Sequence, residues 1–214
     1  MMHLTCECNV KQGNISNAKN HIIKWIHTLE NKWKEPKYYE AFQEQNNKNS
    51  IIFFISFSDN KKERELSKIP EARKFGEDLY DMCVKPGLWK EYKNIKSIRN
   101  SKKDSKIHVL IKFKIKQNKI NEFKDHLFEF IDIIHQNEFN NTTVYESWQD
   151  SKDELSFIHL IEFKDKESEQ KHKNAFYTQK FTKFLYSNYL QEPEFRYLDL
   201  IESVRRNGNR KRNH

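Results

Sequence analysis

Along residues 107–115, Ile107, Val109, Ile111, Phe113 and Ile115 alternate with His108, Leu110, Lys112 and Lys114, the two-residue period of a strand. From about Lys119 the period lengthens. Phe123, Leu127, Phe130, Ile131 and Ile134 recur at helical spacing and predict an amphipathic helix. A hairpin follows, VYESWQD and FIHLIEF around a polar turn, then a second helix from near Asp165 and a closing strand in EFRYLDLIES. The first hundred residues run through the same order. Their helical stripe is Ala18, Ile22, Trp25, Ile26 and Leu29, their inner strand is IIFFISF, and their closing strand lies in WKEYKNIKSI. A second helix begins near Asp59, and Pro70 is expected to split it, because proline has no backbone N–H to donate.

The likeness between the halves is literal. Tyr39-Glu40-Ala41-Phe42-Gln43 falls on Tyr145-Glu146-Ser147-Trp148-Gln149 at an offset of 106, and Phe57 and Asp59 fall on Phe163 and Asp165. Nearer the start the offset is 105, placing His3 on His108 and His21 on His126. The chain is therefore a tandem duplication of a unit of about 100 residues. The expected division is repeat 1 at 1–98, a linker at 99–105, repeat 2 at 106–203 and a basic disordered tail at 204–214. Each repeat reads β-α-β-β-α-β, an α+β ferredoxin-like unit with a four-stranded antiparallel sheet and both helices on one face. The inner strands are apolar on both faces, which excludes a sheet with one wet side. Two such sheets in one chain are expected to pack face to face as an intramolecular α/β barrel.

Composition narrows the function classes. The hydrophobic fraction is only 36%, but 16 Phe, 9 Tyr and 4 Trp supply the bulk for a core. With four Gly and no G-x-G-x-x-G or Walker-type loop, nucleotide binding by those routes is excluded. The net charge of +8 is carried mostly by Lys dispersed over the chain. Arg concentrates only in the terminal RRNGNRKRNH, so no nucleic-acid partner is expected beyond what that tail offers. No run approaches the ~18 apolar residues of a membrane span, and the start has no apolar leader. A cytoplasmic protein with no membrane partner is expected. Cys6, Cys8 and Cys83 read as small buried hydrophobes, and no metal is expected.

The hairpin resembles the antibiotic-biosynthesis-monooxygenase (ABM) family of dimeric α/β barrels. The pattern is Tyr-Glu-x-aromatic-Gln-Asp, an apolar strand ending aromatic-x-Asp, and a His seven residues on. Here it is Tyr145, Glu146, Trp148, Gln149 and Asp150, then Phe163, Asp165 and His172. The likeness covers about 95 residues of repeat 2 and extends more weakly over repeat 1. Relatives of this kind pair as homodimers, so the fused tandem implies a monomer. Some oxidise activated phenols with dioxygen and no cofactor, and others bind or degrade haem.

The resemblance implies an ABM-type monooxygenase acting on a small planar aromatic substrate in the barrel cavity, with no cofactor expected and haem as the alternative. His108 and His159 are the candidate bases, because imidazole titrates near neutrality. Trp148 and Tyr145, on opposite faces of one strand, and His3, the counterpart of His108, are candidate ligand contacts. His172 is the first candidate haem ligand and His159 the second. Each has a structural alternative: His3 and His108 as half-solvated strand starts, His159 as a hydrogen-bonded core residue, His172 as a cap. Departures from the family pattern at Ile161 and Lys180 leave a second function class open, a non-catalytic ligand-binding or interaction barrel.

Overall fold

The computed structural model of the chain describes residues 1–100 and 105–206. Two rounds of the same elements appear in order. The first is β1 (Met2–Asn9), α1 (Ile15–Lys32), β2 (Tyr38–Glu44), β3 (Ser50–Phe57), α2 (Asn60–Ser67), α3 (Pro70–Met82) and β4 (Leu88–Arg99). The second is β5 (Ile107–Lys114), α4 (Ile120–Glu138), β6 (Thr142–Asp150), β7 (Ser156–Phe163), α5 (Lys166–Asn174), α6 (Phe176–Asn188) and β8 (Glu194–Arg205). The eight strands hydrogen-bond in the closed order β1-β3-β2-β8-β5-β7-β6-β4, a single barrel. The expected α+β class and intramolecular barrel are both present.

Registers repeat across the duplication. Met2 faces Phe57 and Asn9 faces Ser50 in the first antiparallel pair, as Ile107 faces Phe163 and Lys114 faces Ser156 in the second. β3 and β6 are buried at every position, and β2 and β7 at all but one. One face of each sheet receives its helices. In the first unit Ile22, Ile26 and Leu29 of α1 meet Ile51, Phe53 and Ile55 of β3. In the second, Phe123, Leu127 and Ile131 of α4 meet Phe157 and Ile161 of β7.

Both second helices are split, including the one without proline. Ile69 (φ −67°, ψ 132°) and Ala175 (φ −63°, ψ 135°) occupy the same duplicated position in the same extended conformation. Pro70 sits just inside α3, where its missing N–H is one the helix leaves unpaired anyway. The break thus belongs to the fold rather than to proline. It lets α5 turn His172 inward while α6 presents Phe181 and Leu185.

Much of the hairpin motif proves to be structural. Asp59 and Asp165 are N-caps, accepting from the backbone N–H of Lys62 (2.9 Å) and Ser168 (2.8 Å). Gln43 donates to the Lys48 carbonyl and accepts from Lys19. Gln149 does the same with Glu154 and Lys124, so each glutamine ties a hairpin to a first helix.

The compact units are Met1–Tyr92 with the chain from Asp199 on, and Lys93–Leu198. Repeat boundaries and packing boundaries therefore differ, because each unit is completed by the end of the other repeat's last strand. Ile201 and Val204 of β8 pack in the first core, and Ile95 and Ile98 of β4 in the second. A buried ion pair clamps each borrowed end. Arg205 meets Glu40, and Arg99 Nε donates to Glu146 (3.1 Å). Within the expected linker, Arg99 belongs to β4 and the Asn100 N–H donates to the Thr143 carbonyl (2.7 Å), while 101–104 lie outside the described residues. Within the expected tail, Val204 and Arg205 belong to β8 and the Arg206 N–H donates to the Lys37 carbonyl (2.8 Å). Residues 207–214 lie outside the described residues. Among the described residues no helix is long and apolar enough to cross a membrane.

Arg205→Ala removes the ion-pair partner that Arg205 gives the fully buried Glu40 carboxylate and is expected to cost about 3–5 kcal/mol. The urea midpoint reads this, and a cost below about 1 kcal/mol would show that the borrowed strand end is not clamped there.

Candidate functional site

The expected site was the inner face of the sheets. On the helix side of the first unit's sheet the structure opens a cavity of about 460 Å³. Phe42, Ile52 and Phe54 occupy the sheet face turned away from the helices and are fully buried. On the helix face the wall is made of small thiols from β1, Cys6 and Cys8, with Cys83 after α3. Trp25 and Phe75, stacked with centroids 5.0 Å apart, form another part, and Tyr39, Tyr80 and Trp89 add further rings. The loop entering β4 lies close against this wall: a Cβ on Gly87 would meet Cys6 Sγ at 2.5 Å. Any larger residue there has to displace the Cys6 thiol.

The second unit is filled at the positions that correspond to this wall. At the duplicated positions Cys8 becomes Phe113, Cys83 becomes Tyr189, Phe53 becomes His159 and Leu66 becomes His172. Phe113 packs edge-on against Tyr189 (5.5 Å) and Phe123 (5.7 Å), and stacks with Phe157 (5.8 Å). Two thiols replaced by two large rings fill the space. Beside α4 and α6 the second unit retains a pocket of only about 50 Å³.

The thiols and phenol of the cavity are not bases. Burial pushes Cys6 up to about 12, helped by Cys83 and Glu7, and raises Cys8 and Cys83 as well. Burial also holds the Tyr39 phenol well above its ordinary value, against a hydrogen bond from Trp25 that pulls the other way. All remain protonated at neutral pH, and all three cysteines are free thiols. Among the described residues lining the cavity, Glu63 alone carries a charge.

None of the six residues singled out from sequence lines this cavity. His3 is buried on the sheet face away from the helices, with Nδ1 3.3 Å from Tyr38 Oη, and His108 is buried on the corresponding face of β5. Neither is half-solvated. Trp148 is fully buried on the face of β6 opposite Tyr145. His159 belongs to the helix-side core, with Nδ1 2.9 Å from Tyr145 Oη and the Phe113 ring edge-on at 4.7 Å. Its Nε2 has no hydrogen-bond partner, and burial drives its pKa down to about 3, so the ring stays neutral. The pair is packed among aromatic rings, with Phe113 against His159 and Phe130 against Tyr145.

His172 donates its Nδ1–H to Glu138 (2.9 Å) and packs against Phe130 and Phe163. Burial works to raise the Glu138 carboxyl. The bonds from His172, Thr142 and Tyr177 outweigh it and hold the group below its usual value. The wall of the first unit's cavity contains no imidazole and so offers a haem no histidine ligand there. Among the described residues no three His, Cys, Asp or Glu side chains are grouped to hold a metal ion.

A second buried carboxylate, Glu169 of α5, is 1% exposed and accepts from Lys166 (2.5 Å), Lys173 (2.6 Å) and Tyr197 (2.5 Å). Desolvation opposes its charge, but these three donors pull its pKa from 4.5 to about 2. A depressed carboxylate contributes stability that is complete above the unfolded value of 4.5 and fades as pH falls toward 2. Glu169→Gln should therefore flatten the acid limb of stability between these values in urea titrations, and parallel curves for the two proteins would refute the assignment. For the Tyr145–His159 pair, His159→Phe alone strands the phenol and should cost about 1–3 kcal/mol, whereas the double change to Phe should be nearly neutral. Thermal melts separate the two outcomes, and a double variant no better than the single one counts against the pairing.

Comparison with known proteins gives likeness in structure only. No protein-family model matches the chain, and no curated protein matches it. A "putative monooxygenase" from Fusobacterium nucleatum subsp. nucleatum superposes with a TM-score of 0.87 over 95% of this chain and 94% of its own, at 12% identity. One from Lactobacillus acidophilus gives 0.85 over 95% of each chain, at 10% identity. An anthrone oxidase-like protein gives 0.61 over 95% of this chain and 92% of its own, at 8% identity. At such identities the common property is the fold. The chain has the architecture of these monooxygenase-like proteins, consistent with the tandem ABM-type barrel that its hairpin motifs resemble.

Proposed function

We propose that the protein binds one small planar aromatic molecule per chain, in the helix-side cavity of its first unit. The observation that carries this is the cavity itself. It is of ligand size, walled by Trp25, Phe75, Tyr80 and Trp89 with three soft thiols, and its counterpart in the second unit is filled by Phe113 and Tyr189. Ring faces and polarisable sulfur favour flat aromatic surfaces over saturated ones, at about 0.3–1.5 kcal/mol per contact.

A second reading, oxidation of that molecule by dioxygen without a cofactor, is favoured by the fold shared with an anthrone oxidase-like protein. In such chemistry a benzylic CH₂ loses two hydrogens and gains a carbonyl oxygen, and the second oxygen atom leaves as water. The cavity's thiols and Tyr39 stay protonated, so the carbanion character has to come from the substrate, as it does for a CH₂ between two aromatic rings. An apolar wall that excludes water protects the oxygen-bearing intermediate.

The test copies the second unit into the first. Titrating the wild type with anthrone, read by quenching of Trp25 and Trp89, should give one site per chain, and Cys8→Phe/Cys83→Tyr should weaken it about 100-fold or more, ~2.7 kcal/mol. Binding that survives in the filled variant places the ligand elsewhere. Oxygen uptake with the same compound tests the second reading, and a rate equal to the protein-free rate leaves a binding protein without turnover.

A further inference from the structure

We infer that the ligand of this cavity carries a cationic amine, and that Glu63 is the residue that receives it. This inference rests on the binding proposed above and adds the charge of the ligand. Its basis is a comparison of the two repeats at one carboxylate. Glu63 and Glu169 occupy the same duplicated position, one turn into α2 and α5. In the second unit Lys166, Lys173 and Tyr197 neutralise Glu169. In the first unit the matching residues are Asn60, Ser67 and Glu91. Both ammonium groups and the phenol are gone, while the carboxylate remains.

The surrounding cations do not take their place. Lys62 is 2.7 Å from Glu65, Lys74 is 2.9 Å from Asp78, and Lys32 is 3.2 Å from Glu71. Glu63 forms no ion pair among the described residues; it is half-buried and lines the cavity beside Leu66 and Ser67 of its own helix. In a chain of net charge +8, no Lys, Arg or His is among the residues described around this cavity. A ligand ammonium supplies the charge that Lys166 and Lys173 supply in the other unit. The rings of Trp25, Phe75 and Trp89 reinforce the preference, because aromatic faces attract cations. A carboxylate ligand meets the opposite field: a fixed negative charge, no cation, and a desolvating wall. The ligand class is thus an amphipathic aromatic amine, its flat body against the rings and its ammonium at Glu63.

Three anthracenes of equal size, bearing aminomethyl, hydroxymethyl or carboxylate at the same carbon, separate charge from shape. Tryptophan quenching at low ionic strength should rank the amine about tenfold tighter than the alcohol, with the carboxylate weakest, a difference of ~1.4 kcal/mol between the first two. Glu63→Gln should bring the amine-to-alcohol ratio to about one. Ser67→Lys, which restores the internal ammonium of the second unit, should do the same by a different route. Equal affinities in the wild type, or a ratio that survives both substitutions, overturns the amine and leaves the cavity as a neutral aromatic site. Failure of all three compounds to bind overturns the site itself, and the inference with it.

Discussion

β3 and β6 have no exposed residue, and that constraint organises the rest of the molecule. A strand buried on both sides needs cover on both faces and paired neighbours along both edges. Helices provide one layer of cover in each unit. The edges are closed by lending: β4 and β8 each begin in one compact unit and end in the other, and the barrel has no free edge. Arg99 and Arg205 hold the lent ends against Glu146 and Glu40, so the motif's glutamate serves the architecture. Its aspartate caps a helix and its glutamine ties a hairpin.

Duplication freed one copy from having to do what the other does. The second unit spends its helix-side space on a packed aromatic core, with His159 and Tyr145 as a polar pair inside it. The first keeps thiols at the corresponding points of the wall and so keeps a void. The recess opens to solvent on one side, where Tyr80 and Trp89 are exposed. The carboxylates diverge in the same direction: Glu169 is neutralised from within, and Glu63 is left facing the cavity.

Shared architecture and shared chemistry separate here. The fold matches proteins described as monooxygenases across nearly the whole chain, and the histidines that a catalytic reading would recruit are buried and do not line the first unit's cavity. What a cofactor-free oxidation needs from protein is a dry, shaped enclosure and a substrate willing to ionise. The first unit offers a largely apolar recess, open on one side where Tyr80 and Trp89 are exposed. Charge at Glu63 would then orient the substrate, which is a binding task and is compatible with either a carrier or an enzyme.

The fold was legible because alternation, helical stripes and literal repetition are local properties of the chain. Ile107 to Ile115 could only be a strand, Phe123 to Ile134 only an amphipathic helix, and a doubled motif only a doubled unit. The split of α5 from α6 was not legible, because Ala175 is a good helix former and yet is extended here. The cavity was written in the aligned pairs Cys8/Phe113 and Cys83/Tyr189, but a difference in side-chain volume becomes a void only when the neighbours fail to collapse into it. Histidines drew attention because their chemistry is visible in one letter. Residues such as Trp25, Phe75 and Glu63 acquire a role only through what surrounds them. Sequence determined the elements, their order and their duplication, since these depend on neighbours along the chain. Tertiary structure decided where empty space and unneutralised charge would lie, because both are set by residues far apart in sequence that meet only in the folded protein.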